Sequence, residues 1–143
     1  MGEFGIGIDL GGTLIKGAAF DLSSGEVLHE DMAPTRDGEQ EGDVPAFLAE
    51  VRKLVAGFED LEGCKSLVVG VSSPGFANRE ASQIVSMPGR LDGLEGLEWP
   101  AALDRPAAVL NDAHAALMGE IWQGAAAGVQ DVILLTLGTG VGG

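Results

Sequence analysis

The chain has 143 residues, of which 45% are hydrophobic and 21% charged, a composition typical of one folded domain with a core. Its 22 Asp and Glu against 8 Lys and Arg give a formal net charge of −14, which argues against a nucleic-acid groove and against adhesion to anionic lipid. No apolar run reaches the roughly 20 residues of a membrane helix, no secretory signal is visible, and Cys64 is the single cysteine, so we expect a cytoplasmic protein.

Three short strands open the predicted fold, and the short turns between them imply an antiparallel meander. These strands cover residues 4–10, 13–20 and 26–32. An acidic loop follows at 34–43, and Asp43 is the expected N-cap of a helix. Apolar residues then recur from Val44 to Phe58 at spacings of three and four, which predicts one buried helical stripe.

The second half of the chain alternates predicted strands with predicted helices. Strands are expected at 65–75, 107–112 and 131–137, helices at 94–103 and 113–128, and a hairpin or irregular excursion at 76–86. This order predicts an α/β domain with a mixed sheet, in which three antiparallel N-terminal strands are followed by parallel strands and flanking helices. Since the chain ends inside a glycine-rich loop, we expect it to be a fragment of a longer protein.

The stretch GIDLGGTLIKG, residues 7–17, places two glycines and a threonine between two strand patterns. The glycine spacing fits that of a P-loop, but Thr13 stands where the lysine would be and a strand follows instead of a helix; a dinucleotide fingerprint fails as well. Two interpretations remain. Gly11 and Gly12, which tolerate positive φ, form with Thr13 a hairpin tip that faces an anion, with Asp9 beside a hydrated Mg²⁺, or the turn is an ordinary tight hairpin.

A second glycine-rich loop, LGTGVGG, ends the chain. Gly138, Gly140 and Gly143 match the G-x-G-x-x-G spacing after a strand, although neither a helix nor a ribose-binding acid follows within the chain. A second phosphate-binding hairpin similar to the first is the other interpretation of this loop.

Between the two loops, VLNDAHAALMGE places Asn111 and Asp112 where a buried strand gives way to a helix. Ligands bind at the carboxyl ends of parallel strands in open α/β sheets. A carboxylate there can accept the proton of a substrate hydroxyl that attacks a phosphoryl group, and the asparagine can orient that hydroxyl. Either residue is also explained as the N-cap of the helix.

These stretches occur together and in order. GIDLGGTLIKG, GVSSPG, LNDAHAALMGE and LLTLGTGVGG resemble the ROK family of bacterial sugar kinases and repressors, within the actin-like ATPase superfamily of ribonuclease H-like fold. The resemblance implies that residues 1–130 form the family's N-terminal domain and that 131–143 are the first strand and glycine loop of a second domain. It also implies ATP-dependent phosphorylation of a hexose hydroxyl, as in glucokinases, with ATP and Mg²⁺ as cofactors and a homodimer as the assembly.

The resemblance assigns roles to individual residues. Asp112 corresponds to the catalytic base and, together with Asn111 and Gly75, to the sugar-binding residues. The residues that correspond to the binding site for ATP phosphates and Mg²⁺ are Asp9, Gly11, Gly12, Thr13, Gly138, Thr139 and Gly140. The chain departs from the family at His114, where an asparagine is usual, and its stretch SMPGRLDGLEGLEW lacks the asparagine of the family's sugar loop. The family's zinc motif would lie beyond residue 143.

Two other functions compete with the kinase. A sugar-sensing repressor of the same family would carry a DNA-binding module before the first strand, where this chain has only residues 1–3, and a dinucleotide-binding domain does not explain the early hairpin. We expect Arg79 and Arg90 to be solvated loop charges, with contact to a ligand as the alternative for Arg90. We also expect the 143 residues alone to be inactive, to expose apolar surface along the cleft face and at 131–137, and to be marginally stable or self-associating.

Overall fold

The structure, a computed structural model, describes residues 2–138 and 141–142. Its helices are α1 (Ala46–Glu62), α2 (Trp99–Leu103) and α3 (Asp112–Gln123). Its strands are β1 (Phe4–Leu10), β2 (Leu14–Asp21), β3 (Val27–Pro34), β4 (Gln40–Glu41), β5 (Val44–Pro45), β6 (Val68–Ser73), β7 (Phe76–Ala77), β8 (Ile84–Ser86), β9 (Ala107–Asn111), β10 (Thr136–Leu137) and β11 (Val141–Gly142). Among the helices in these ranges, none is long and apolar enough to cross a membrane.

The main sheet has five strands in the order β3-β2-β1-β6-β9. β1, β2 and β3 pair antiparallel, whereas β6 runs parallel to β1 and β9 runs parallel to β6. The mixed sheet predicted from the sequence is therefore confirmed. Its parallel half brings the carboxyl ends of β1, β6 and β9 to the same edge.

One face of the sheet forms the core with α1. Every second residue of β1 is buried, while Asp9 is exposed on the opposite face, as a strand with one covered face requires. α1 lies so close to β2 that a Cβ on Gly17 would come within 2.9 Å of the Phe58 ring. α3 packs against β6 and β9, at the end of the sheet that carries the candidate site.

The expected N-cap at Asp43 is wrong. Residues 40–45 form the short antiparallel pair β4–β5, in which Glu41 is opposite Val44, and α1 begins only at Ala46, after Pro45. The turn between β4 and β5 uses Gly42 at a φ of 63°, a left-handed conformation that favours glycine. This tight turn keeps residues 43 and 44 out of the helix.

The predicted strand at 131–137 is wrong over residues 131–135, which belong to no strand. Only Thr136–Leu137 pairs, with Val141–Gly142, in a ladder separate from the main sheet. A strand needs a hydrogen-bonded neighbour, and the side chains of Ile133 and Leu135 are 90% and 67% exposed instead of packed. The apolar exposure that we expected here is present, while self-association stays a prediction.

The other predicted elements are present with different bounds. The strands at 65–75 and 107–112 are β6 and β9, the helices at 94–103 and 113–128 are α2 and α3, and the excursion at 76–86 contains the β7–β8 hairpin. α3 ends before Gly124, one of the two glycines at which its end was expected.

A partly buried ion pair joins α1 to the segment before β9. Glu59 and Arg105 are bonded, with side chains only 12% and 16% exposed. Glu59 also accepts hydrogen bonds from the Ser66 N–H at 2.9 Å and the Ser66 hydroxyl at 3.0 Å. Burial alone would raise the pKa of the Glu59 carboxyl, but the bonds from the Ser66 backbone, Arg105 and the Ser66 hydroxyl outweigh it and hold this pKa below its ordinary 4.5.

We expect Glu59→Ala to lower the free energy of unfolding by about 2 kcal/mol, because the substitution leaves the partly buried Arg105 without a counter-charge. Since folding lowers the pKa of Glu59, its stabilisation is present above pH 4.5 and is lost as the pH falls through the lower folded-state value. Urea unfolding at pH 7 and at intervals down to pH 3 measures both effects. The exposed neighbour Asp60 provides the control, Asp60→Ala, which should unfold like the wild type. Equal stability of Glu59→Ala and the wild type at pH 7 would contradict the assignment.

Candidate active site

The carboxyl ends of the three parallel strands line one cleft. Asp9, near the end of β1, is the register partner of Ser72 in β6. Ser73 of β6 is in turn the register partner of Asn111 in β9. The cleft has a volume of about 330 Å³. Its lining residues are Asp9, Leu10, Gly11, Gly12, Pro74, Met87, Arg90, Leu91 and Asp112. The structure thus brings the predicted hairpin and the predicted base, which are about a hundred residues apart in sequence, to one place.

The turn between β1 and β2 is closed by the Gly11 N–H, which donates to the Leu14 carbonyl at 3.1 Å. Neither Gly11 nor Gly12 has a positive φ, so the expected reason for two glycines is wrong. Two glycines are needed instead because other atoms lie close to their Cα atoms, where a side chain would have to fit. A Cβ on Gly11 would lie 2.7 Å from the Leu14 carbonyl oxygen, and a Cβ on Gly12 would lie 3.2 Å from Nη1 of Arg90.

Thr35, which follows β3, fixes this hairpin and was not predicted from the sequence. Its side chain is fully buried, its hydroxyl donates to the Gly11 carbonyl at 2.7 Å, and its N–H donates to the Thr13 carbonyl at 2.9 Å. The N–H groups of Gly12 and Thr13 have no acceptor among the described residues. The hairpin therefore has two carbonyls bonded by Thr35 and two N–H groups without a protein acceptor, which is the kind of donor that an anion accepts from.

Asn111 and Asp112 form the junction of β9 and α3. The Ala113 N–H donates to Oδ1 of Asn111 at 3.0 Å and to Oδ1 of Asp112 at 2.8 Å, so the N-cap interpretation is confirmed. Nδ2 of Asn111 also donates to the Gly75 carbonyl at 2.7 Å. These bonds do not use every donor and acceptor of the two side chains. One amide hydrogen of Asn111 and the second carboxylate oxygen of Asp112 have no partner in the described part of the chain.

Gly75 holds the turn after β6 against β8. Its φ is 94°, and a Cβ there would lie 2.6 Å from the Ser86 carbonyl oxygen and 2.8 Å from Cγ2 of Ile84. No other residue type fits this position without moving the backbone. The turn thereby presents the Gly75 carbonyl to Asn111.

Arg90 is exposed, as expected of a loop charge, but it also lines the cleft and lies beside Gly12. Arg79, in the β7–β8 hairpin, is exposed as expected. Nothing in the sequence around Arg90 distinguishes the two arginines, since its placement depends on how a loop between β8 and α2 folds back over the hairpin.

The second glycine loop does not contribute to this cleft among the described residues. Gly138 is exposed directly after β10, and Thr139, Gly140 and Gly143 lie outside the described residues. His114 is exposed in the first turn of α3. Within residues 2–138 and 141–142, no group of three or more His, Cys, Asp or Glu is placed to hold a metal ion.

The chain is an α/β domain with a glycine hairpin and acidic strand ends at the parallel edge of a mixed sheet, and its structural neighbours are sugar kinases of the actin-like ATPase fold. The model of the ROK family matches residues 5–143, so the chain belongs to the ROK family. It is 35% identical over 141 residues to a beta-glucoside kinase of Listeria monocytogenes, covering 94% of this chain and 44% of that protein. It is also 35% identical over 147 residues to a glucokinase of Halalkalibacterium halodurans, covering 96% of this chain and 42% of the relative.

Among solved structures, a ROK family glucokinase from Streptomyces griseus in complex with glucose and AMPPNP is similar to this fold. The TM-score is 0.77 at 29% identity, over 97% of this chain and 43% of that one. The chain thus spans less than half the length of each of these three relatives.

Proposed function

We propose that the chain forms the N-terminal half of an ATP-dependent hexose kinase. The observation that carries the proposal is the shared cleft, which is lined both by Asp112 and by Gly11 and Gly12 of the glycine hairpin. A general base and an anion-binding loop in one cleft are the two groups that phosphoryl transfer to a hydroxyl requires. The kinase relatives support this proposal.

In the proposed reaction, a sugar hydroxyl oxygen attacks the terminal phosphorus of ATP. The new P–O bond forms as the bond from that phosphorus to the bridging oxygen breaks, and ADP leaves with the electron pair. The proton of the hydroxyl passes to the carboxylate of Asp112. The remaining amide hydrogen of Asn111, whose side chain is oriented by Gly75 and Ala113, holds the hydroxyl in position.

The hairpin residues Gly11, Gly12 and Thr13 would hold the phosphates through N–H groups and the threonine hydroxyl. Carboxylates at the cleft suit Mg²⁺, which typically binds one or two protein carboxylates together with substrate phosphates, and Asp9 is the proposed ligand. A bound Mg²⁺ would neutralise charge on the phosphates.

The remaining parts of the proposal concern the whole protein. Residues 1–130 would form the N-terminal domain, and residues 131–143 would lead into a second domain, with Gly138, Thr139 and Gly140 in a second phosphate loop. Such a domain would cover the exposed apolar side chains at Ile133 and Leu135. A cytoplasmic location and a homodimer complete the proposal.

The test is a coupled assay of ADP release by the full-length protein with Mg-ATP. The panel comprises glucose, a β-glucoside such as cellobiose, mannose, fructose, N-acetylglucosamine and N-acetylmannosamine, and the 143-residue chain is assayed in parallel. We expect sugar-dependent ADP release by the full-length protein and none by the chain alone. Sugar binding in a calorimeter without any ADP release would refute the kinase and favour a non-catalytic sugar sensor.

A further inference from the structure

The segment between β8 and α2 holds Arg90 in a defined place. Leu91 and Leu94 are 2% and 0% exposed, so the chain is anchored in the core directly after Arg90. Gly89 and Leu91, on either side of Arg90, have φ values of 88° and 56°, which form a tight turn. The N–H of Asp92 also donates to a carboxylate oxygen of the loop after β3, at 3.3 Å. The arginine therefore projects from an anchored turn.

The guanidinium of Arg90 lies against the glycine hairpin. Its Nη1 would be 3.2 Å from a Cβ on Gly12, and its side chain lines the same cleft as Asp9 and Asp112. No carboxylate among the described residues lies within 4.0 Å of it; the same is true of Arg52 and Arg79, but of these three arginines Arg90 is the one that lines the cleft. Arg90 is thus a cation without a counter-charge beside two free N–H donors.

We propose that Arg90 contacts the phosphoryl group during its transfer from the donor to the sugar. This inference rests on the proposed kinase function. Its basis is that Arg90 and Gly12 lie side by side and line one cleft, and that the Gly12 N–H has no acceptor among the described residues, so a phosphate in the cleft lies within reach of both.

The charge of the cleft supports this role. Asp9 and Asp112 both line it, and the chain carries a net charge of −14, so a polyphosphate entering the cleft meets repulsion. An arginine beside the hairpin offsets that repulsion. It also stabilises the charge that spreads over the phosphoryl oxygens while the bond to ADP breaks and the bond to the sugar oxygen forms.

Binding of tripolyphosphate to the full-length protein tests this contact without requiring turnover. Tripolyphosphate lacks the adenosine, so its affinity in a titration calorimeter reports on the phosphate contacts. We expect Arg90→Ala to weaken binding about tenfold or more, and Arg90→Lys to recover part of the loss, because lysine keeps the charge but not the planar fork. Arg79→Ala is the matched control, since it removes an exposed arginine outside the cleft, and it should bind like the wild type.

Steady-state kinetics then show whether Arg90 contacts the transferred phosphoryl group or the sugar. We expect Arg90→Ala to lower kcat by about 10²- to 10³-fold, as for loss of one transition-state donor, with the KM for sugar changed by less than about threefold. A higher KM for sugar with an unchanged kcat would overturn the proposal, because it would mean that Arg90 binds the sugar and not the phosphoryl group.

Two further outcomes separate this inference from the kinase proposal. A wild type without sugar-dependent ADP release, but with Arg90-dependent tripolyphosphate binding, would refute the kinase and retain a phosphate site at Arg90. Equal tripolyphosphate affinity of Arg90→Ala and the wild type, or no binding by the wild type, would overturn the role of Arg90 whatever the turnover.

Discussion

Asp112→Asn in the full-length protein is expected to lower kcat by about 10³-fold, while the dissociation constant for sugar changes by less than about threefold. The amide cannot accept the proton of the attacking hydroxyl. It can still accept the Ala113 N–H through its oxygen, so the start of α3 is preserved. ADP release measures kcat, and calorimetry with the sugar that is turned over measures the dissociation constant.

His114→Gln is the control for this substitution. His114 lies in the same first turn of α3 and is exposed, so its replacement tests whether any change at this turn lowers turnover. We expect wild-type kcat. If Asp112→Asn retained turnover, Asp112 would not be the general base, and its role would reduce to the cap of α3. If sugar binding were lost with turnover, Asp112 would hold the substrate.

The directions of the strands in the main sheet were predictable from local sequence. Short turns separate β1, β2 and β3, which forces neighbouring strands to run antiparallel, and a helix precedes β6, which permits a parallel strand. The alternating burial of β1 is also local, since every second residue of FGIGIDL is apolar. Patterns of this kind depend on residues that are close in sequence, so they can be recognised without knowing the tertiary structure.

The elements that depend on distant partners were not predictable. The apolar run at 131–135 has the composition of a strand but no strand beside it in the described structure. The contact of Thr35 with Gly11 joins residues 24 apart, and no local signal in the acidic loop marks that threonine. Arg90 reaches Gly12 from a still more distant loop. Each of these depends on tertiary packing.

The candidate site was predictable in part. Sequence placed Asp9 and Asp112 at strand ends, and parallel strands necessarily bring such ends together. Sequence did not decide between a cap and a ligand-binding role at Asn111. The structure shows the cap of α3 and a bond to the Gly75 carbonyl, and the ligand-binding role of Asn111 stays a proposal that rests on its second amide hydrogen.

Gly75→Ala is expected to lower the free energy of unfolding by about 3 kcal/mol. Two costs add. A φ of 94° strains a residue with a Cβ, by about 1 kcal/mol or more, and the Cβ would lie 2.6 Å from the Ser86 carbonyl oxygen, which forces backbone to move. Because the Gly75 carbonyl accepts from Asn111, the same shift should weaken sugar binding. Urea unfolding and sugar calorimetry on the full-length protein measure the two effects.

Substitutions at two other glycines separate the cost of backbone strain from the cost of the contact with β8. Gly89 has a φ of 88°, and no atom lies within 4 Å of the position that a Cβ would take there, so Gly89→Ala reports backbone strain alone, about 1 kcal/mol. Gly70, in β6, has neither a positive φ nor such a neighbour, so Gly70→Ala should leave stability unchanged within about 0.5 kcal/mol. The excess cost of Gly75→Ala over Gly89→Ala then measures the contact with β8. If there were no excess, the turn could relax around a methyl group, and the position of Asn111 would not depend on a glycine at 75.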